Sequence, residues 1–155
     1  MNGLTPEQRI WVLDDGLPSL ISLTRLAQAE KDDELYHYKA FCVDYESLRP
    51  YTSGIQTVLA VGNGPVVKLT SDDKRTVTCS ATGFMLDMTE TEPIHKILTH
   101  PGEVKYFVGS DARGLPGTTT KRVRKIVSYQ LISSAPIMSL PVPNLLTEHF
   151  FVVMA

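Results

Sequence analysis

Three runs decide the fold class of this chain: Gly54-Ile55-Gln56-Thr57-Val58-Leu59-Ala60-Val61, then Val66-Val67-Lys68-Leu69-Thr70, then Arg75-Thr76-Val77-Thr78-Cys79-Ser80. They are rich in β-branched residues, which suit a pleated, half-buried surface. Between them stand Gly62-Asn63-Gly64-Pro65 and Ser71-Asp72-Asp73-Lys74, clusters of the residues that turns require. The pattern predicts three strands, with Val67 and Leu69 inward in the second, and a hairpin-type connection at 62–65.

Upstream, Ile10-Trp11-Val12-Leu13 reads as a strand closed by Asp14-Asp15-Gly16. Leu17-Pro18-Ser19 then predicts the start of a helix running to about Gln28, because Leu20, Leu23 and Leu26 recur at spacings of three and Pro18 suits a first turn. The run from Leu35 to Tyr45 is aromatic-rich and predicts another strand, with a turn before Pro50. Downstream, short apolar runs at 84–86, 103–108, 121–131, 137–142 and 148–153 predict further strands. Residues 110–120 hold Gly114, Gly117 and Pro116 with three threonines and read as a flexible loop.

About nine short strands and one helix in 155 residues make an all-β single domain. The expected core is Trp11, Leu13, Leu20, Phe41, Val43, Val58, Val67, Leu69, Val77, Cys79, Val127, Leu140 and Val152. At 43% hydrophobic and 21% charged residues, the chain is neither disordered nor fibrous. A net charge of −2 lacks the basic excess of a dedicated nucleic-acid binder, so no nucleic-acid partner is expected. No apolar run is long enough to span a bilayer, and the first residues lack the apolar core of a secretory signal, so a cytoplasmic location and no membrane partner are expected.

Chemistry-bearing residues are few. His95 and His100, with Glu92 and Glu103 nearby, have no cysteine to join them, and neither a metal nor any other cofactor is expected. Residues 62–65 lack the Lys-Ser/Thr of a phosphate-binding loop. Lys121, Arg122, Arg124 and Lys125 form the one dense basic run, read as a charge-protected edge strand. Cys42 and Cys79 read as small buried hydrophobes. Ser80 stands where a strand enters an irregular turn, a place from which a hydroxyl and backbone N–H groups can face a site.

The order of segments resembles the Hint domain of inteins and hedgehog autoprocessing modules. The resemblance rests on the Asp-Asp-Gly strand end, the short Leu/Ile helix, Val58 to Thr70, Arg75-Thr76 before Ser80, and the closing run Glu148-His149-Phe150-Phe151-Val152-Val153. It implies a horseshoe of long, curved antiparallel strands with one short helix, and autocatalytic rearrangement of peptide bonds. The loop at 110–120 would stand where larger inteins carry a homing endonuclease, giving a mini-intein-like form.

The resemblance also assigns positions. Ser80 matches the threonine of the Thr-x-x-His element, and the histidine position falls at Gly83. The attacking Cys or Ser falls at or near Gly3, which has no side chain to attack with. Ser139 replaces an acidic residue of the penultimate strand, and His149 keeps a proton-transfer position. The closing His-Asn pair is not found before Ala155. The implied function is an intein-like autoprocessing domain, inactive as it stands. The alternatives are the large fragment of a split intein, completed by a short C-terminal peptide, and a non-catalytic β-rich protein-binding module. The implied partners are flanking extein segments or that peptide, with the chain a monomer.

Overall fold

The computed structural model describes residues 3–43, 50–71, 74, 76–80, 84–86, 91–93, 106–109, 122–142, 145–148 and 151–153. The first elements are β1 (Arg9–Asp14) and β2 (Leu17–Ser22), an antiparallel hairpin in register from Arg9↔Ser22 to Asp14↔Leu17. Its two-residue turn is Asp15-Gly16, both at positive φ (46° and 90°). That is the primed turn whose twist matches paired strands, and it calls for glycine or a short polar residue.

This hairpin corrects the helix expected from Leu17. The turn lays 17–22 against β1, where six residues find ladder partners at once. Pro18 is tolerated because β2 is the edge of its sheet. The helix α1 begins six residues later, at Leu23–Lys31, with the Ser22 hydroxyl accepting the Arg25 N–H at 3.2 Å as its N-cap. Leu23, Leu26 and Ala29 form its buried face.

After a short 3₁₀ turn (Leu35–His37), β3 (Tyr38–Val43) pairs with β1, and β4 (Pro50–Gly54) pairs with β3. The inward faces of β1 and β3 are the opposite of those expected. Ile10, Val12, Ala40 and Cys42 are fully buried, whereas Trp11, Leu13, Phe41 and, on β2, Leu20 are only half-buried. A strand has period two, so a choice made by side-chain bulk inverts the whole face when it is off by one. The small Ala40 and Cys42 share the core cluster with Leu23, Leu26 and Ala29 of α1.

The remaining strands are β5 (Leu59–Ser71), β6 (Thr76–Ser80), β7 (Phe84–Leu86), β8 (Thr91–Pro93), β9 (Tyr106–Gly109), β10 (Arg122–Ser139), β11 (Leu145–Leu146) and β12 (Phe151–Val153). The connection expected at 62–65 is instead the interior of β5. Gly62, Asn63 and Gly64 pair with Ile137, Pro136 and Ala135 of β10, and register shifts beside them absorb the irregularity. An 18-residue partner strand supplies a ladder along its whole length, and that outweighs local turn preference. Arg122, Arg124 and Lys125 of the basic run pair with β9, so that part is laddered on one side; Lys121 lies outside the described residues.

All described pairings are antiparallel. One sheet runs β2-β1-β3-β11-β12-β7-β8 with β4 also on β3, and the other runs β6-β5-β10-β9. The described residues form a curled antiparallel half-barrel sheet with one α-helix, as expected for the fold class. Val58, Val67, Leu69, Cys79 and Leu140 are core residues as expected. The side chains of Val43, Val77, Val127 and Val152 lie outside the description. The Glu30 carboxylate ties α1 to the segment before β5, accepting the Thr57 hydroxyl at 2.5 Å and the Val58 N–H at 3.0 Å. Those bonds hold it below the usual carboxylate range, the Thr57 bond contributing most.

Candidate functional site

The N-terminal segment passes between the ends of β6 and β10 and joins each by an isolated bridge. Leu4 bridges Cys79 on one side and Met138 on the other. Its N–H donates to the Met138 carbonyl at 2.9 Å, and its carbonyl accepts the Met138 N–H at 2.8 Å. One residue earlier, the Ser80 N–H donates to the Gly3 carbonyl at 2.7 Å, at the short end of the range for N–H···O.

The segment is anchored further along. The Pro6 carbonyl accepts both the N–H and the hydroxyl of Thr24, each at 3.0 Å. The Gln8 side-chain carbonyl accepts the Thr78 N–H at 3.1 Å, two residues before Ser80. Arg9 makes a bidentate ion pair with Glu148, and the Glu148 N–H donates to the Arg9 carbonyl at 3.1 Å. The residue preceding His149 is therefore fastened to the same segment, six positions after Gly3.

Gly3, Leu4, Thr5, Cys79, Ser80, Ser139 and Leu140 are all buried. A Cβ built on Gly3 would lie 2.7 Å from the Ser80 Cβ and 3.2 Å from the Ile137 Cγ2. Glycine is required here by the close approach of Ser80, whatever its backbone angles. Cys79 is not a ready nucleophile. Burial pushes its thiol up to about 12, which keeps it in the neutral form. Burial likewise raises Cys42, to about 11. Neither Gly3 nor Leu4 carries a nucleophilic atom.

Of the sequence-predicted site residues, Gly3 and Ser80 touch, and Ser139 is buried next in sequence to Met138, the bridge partner of Leu4. Gly83 and His149 lie outside the described residues, as do His95 and His100. Among the described residues no three His, Cys, Asp or Glu side chains converge on a metal position, and no helix is long and apolar enough to cross a membrane. The sequence reading missed Leu4 and Met138. Their contribution is made by backbone groups, which every residue carries and no residue type announces.

An N–H fixed on a buried carbonyl oxygen is the pairing every strand ladder makes. The donor stabilises the negative charge that oxygen gains when the carbon is attacked, at no cost in rearranging solvent.

The fold has known counterparts. An intein from a hyperthermophile superposes with a TM-score of 0.78 at 11% identity, covering 100% of both chains. A DnaB intein from Synechocystis sp. PCC 6803 matches with a TM-score of 0.74 at 15% identity, over 100% of this chain and 99% of that one. The chain has the intein fold. The transcription factor IIB Mvu mini-intein adds a third likeness, with a TM-score of 0.71 at 11% identity over 99% of this chain and 100% of that one. No protein-family model matches the chain, and no curated protein does at the level of sequence. Identities this low explain why: in this intein fold the ladder pattern survives where residue identities do not.

Proposed function

We propose that the chain is an intein-type autoprocessing domain that still presents a peptide bond for acyl transfer but lacks the group to attack it. The observation that supports this reading is the Ser80 N–H on the Gly3 carbonyl at 2.7 Å inside a buried ladder. Ser80 acts as the electrophile-activating residue. Gly83 stands where the family's histidine would assist, and Ser139 where an acidic group would. His149, next in sequence to Glu148, is the proton-transfer residue toward the C-terminal side. Its partners are the polypeptide segments that flank it, and it acts as a monomer.

The test is repair. Unaltered, the chain should keep its first residues in neutral hydroxylamine, as read by intact mass. Chains carrying Gly83→His together with a thiol placed at position 3 or 4 should shed the residues before that thiol as a hydroxamate. Folded, repaired chains that shed nothing from either position would overturn the reading.

A further inference from the structure

We propose that Asn63 is a site of spontaneous modification: its side chain closes onto the Gly64 nitrogen, loses ammonia, and leaves an aspartate or a β-linked isoaspartate inside β5. The proposal is independent of the autoprocessing reading. It concerns Gly62-Asn63-Gly64-Pro65, a run with turn chemistry that the fold holds as the interior of a strand and that the candidate site does not use.

The chain has three asparagines, and two of them, Asn2 and Asn63, precede a glycine. Glycine leaves the attacking nitrogen without a neighbouring Cβ to hinder ring closure. The structure separates the two sites. Gly3 is buried, its carbonyl takes the Ser80 N–H at 2.7 Å, and a Cβ added there would lie only 2.7 Å from the Ser80 Cβ. Little room is left at Gly3 for the backbone to rearrange. Asn63 is exposed, between exposed Gly62 and half-buried Gly64.

The ladder around Asn63 is poorly held. Asn63 pairs with Pro136, which has no N–H to give, and Gly64 is followed by Pro65, which has none either. Register shifts stand on both sides, between Ile132 and Ala135 and between Ile137 and Met138. Gly62 lies at φ 109°, outside the extended range, and neither Gly62 nor Gly64 brings a side chain to pack. A stretch with missing ladder bonds and little packing opens locally at small cost. Opening is what the reaction needs, because ring closure rotates the Asn63 backbone out of its extended form.

The step balances with water as the one co-reactant. The Gly64 nitrogen gives up its proton and bonds to the Asn63 side-chain carbonyl carbon. The C–N bond of the side-chain amide breaks, and ammonia leaves with a proton. The product is a five-membered imide made of the Gly64 nitrogen and the Asn63 carbonyl carbon, Cα, Cβ and Cγ. Water then opens the ring at Cγ, giving aspartate, or at the backbone carbonyl, giving isoaspartate. Isoaspartate routes the chain through Cβ and Cγ and so lengthens the backbone by an atom. Leu59 to Gly62 then lose their register against Ile137 to Ser139. Met138 lies in that stretch and bridges Leu4, so the N-terminal segment is what the modification loosens.

The experiment holds the unaltered full chain in mildly alkaline buffer, folded and in denaturing urea, and reads the conversion of amide to acid at Asn63 and Asn2 by peptide mapping and mass. In the folded chain Asn63 is expected to convert ahead of Asn2, into aspartate and isoaspartate forms that chromatography separates. In urea the lead is expected to vanish. Conversion at Asn63 no faster than at Asn2 in the folded chain would overturn the proposal. A lead equally large in urea would come from local sequence rather than from the fold, and would overturn it too. A second measurement compares amide exchange at Leu4 in the isoaspartate form and in Asn63→Asp, which adds the carboxylate without the extra backbone atom. Faster exchange in the isoaspartate form alone is expected, and equal exchange in the two would refute the loosening of the N-terminal segment.

Discussion

Two stretches of the same strand, β10, meet opposite fates. Around Met138 the N-terminal segment covers its outer edge: Leu4 pairs with it, and Ile137, Ser139 and Leu140 are buried. Ten residues earlier, at 128–134, every residue is exposed, including Tyr129, Leu131 and Ile132. Among the described residues nothing pairs with that outer edge, because β9 reaches only Arg122 to Lys125. On the inner side the ladder to β5 continues, and there Val66, Val67 and Leu69 are buried opposite exposed partners.

The difference shows that backbone pairing and burial are separate decisions. The open stretch is kept by hydrogen bonds to β5, each worth only about 0.5–1.5 kcal/mol net. The covered stretch adds desolvation and close packing, with Leu4 and Ser139 fully buried. An exposed strand edge is also a liability for association, and Ser128, Gln130, Ser133 and Ser134 dilute it with polar groups.

The contrast can be broken most forcefully at Leu4. Leu4→Ala, at a fully buried position, is expected to cost about 3 kcal/mol by the usual toll of a core cavity, read as a lower midpoint in urea unfolding. In the same assay Leu131→Ser, on the open stretch, is expected to stay within about 0.5 kcal/mol and to lower any tendency to self-associate. Equal costs at the two positions would refute the division. Gly3→Ala comes next, at about 1–3 kcal/mol, because its methyl would crowd the Ser80 Cβ and the strands would have to part. Amide exchange at Ser80 should quicken in that variant and stay unchanged in Leu131→Ser.

The smallest effect concerns the far end of β1. His37 Nδ1 lies 2.9 Å from Asp15 Oδ1 across the hairpin turn. That hydrogen bond raises the imidazole above its ordinary value of 6.5, with a smaller opposing contribution from desolvation. A group whose folded value is raised stabilises fully below its unfolded value, and the benefit fades as pH climbs through the folded one. Melting temperature should therefore fall slightly from about pH 6 to about pH 8. His37→Gln should flatten that slope while leaving the Leu4–Leu131 contrast intact.

Much of the architecture was legible from residue types. Val66 to Thr70 and Thr76 to Ser80 became paired strands because β-branched alternation between turn clusters is a local property. Ser80 could be singled out as a strand-end serine. Nothing local announced that its amide would meet Gly3, because 76 positions separate them and the contact is made through backbone groups.

By itself the sequence determined an all-β chain, the positions of most strands, and the absence of a side chain at Gly3. The folded structure alone decided which faces of β1 and β3 turn inward, that Gly62 to Pro65 extends rather than turns, and that 17–22 pairs before α1 begins. Those choices depend on which partner is present to complete a ladder or fill a space. Strand character is carried within a few neighbouring residues, whereas register, facing and the capture of the Gly3 carbonyl are settled between segments distant along the chain.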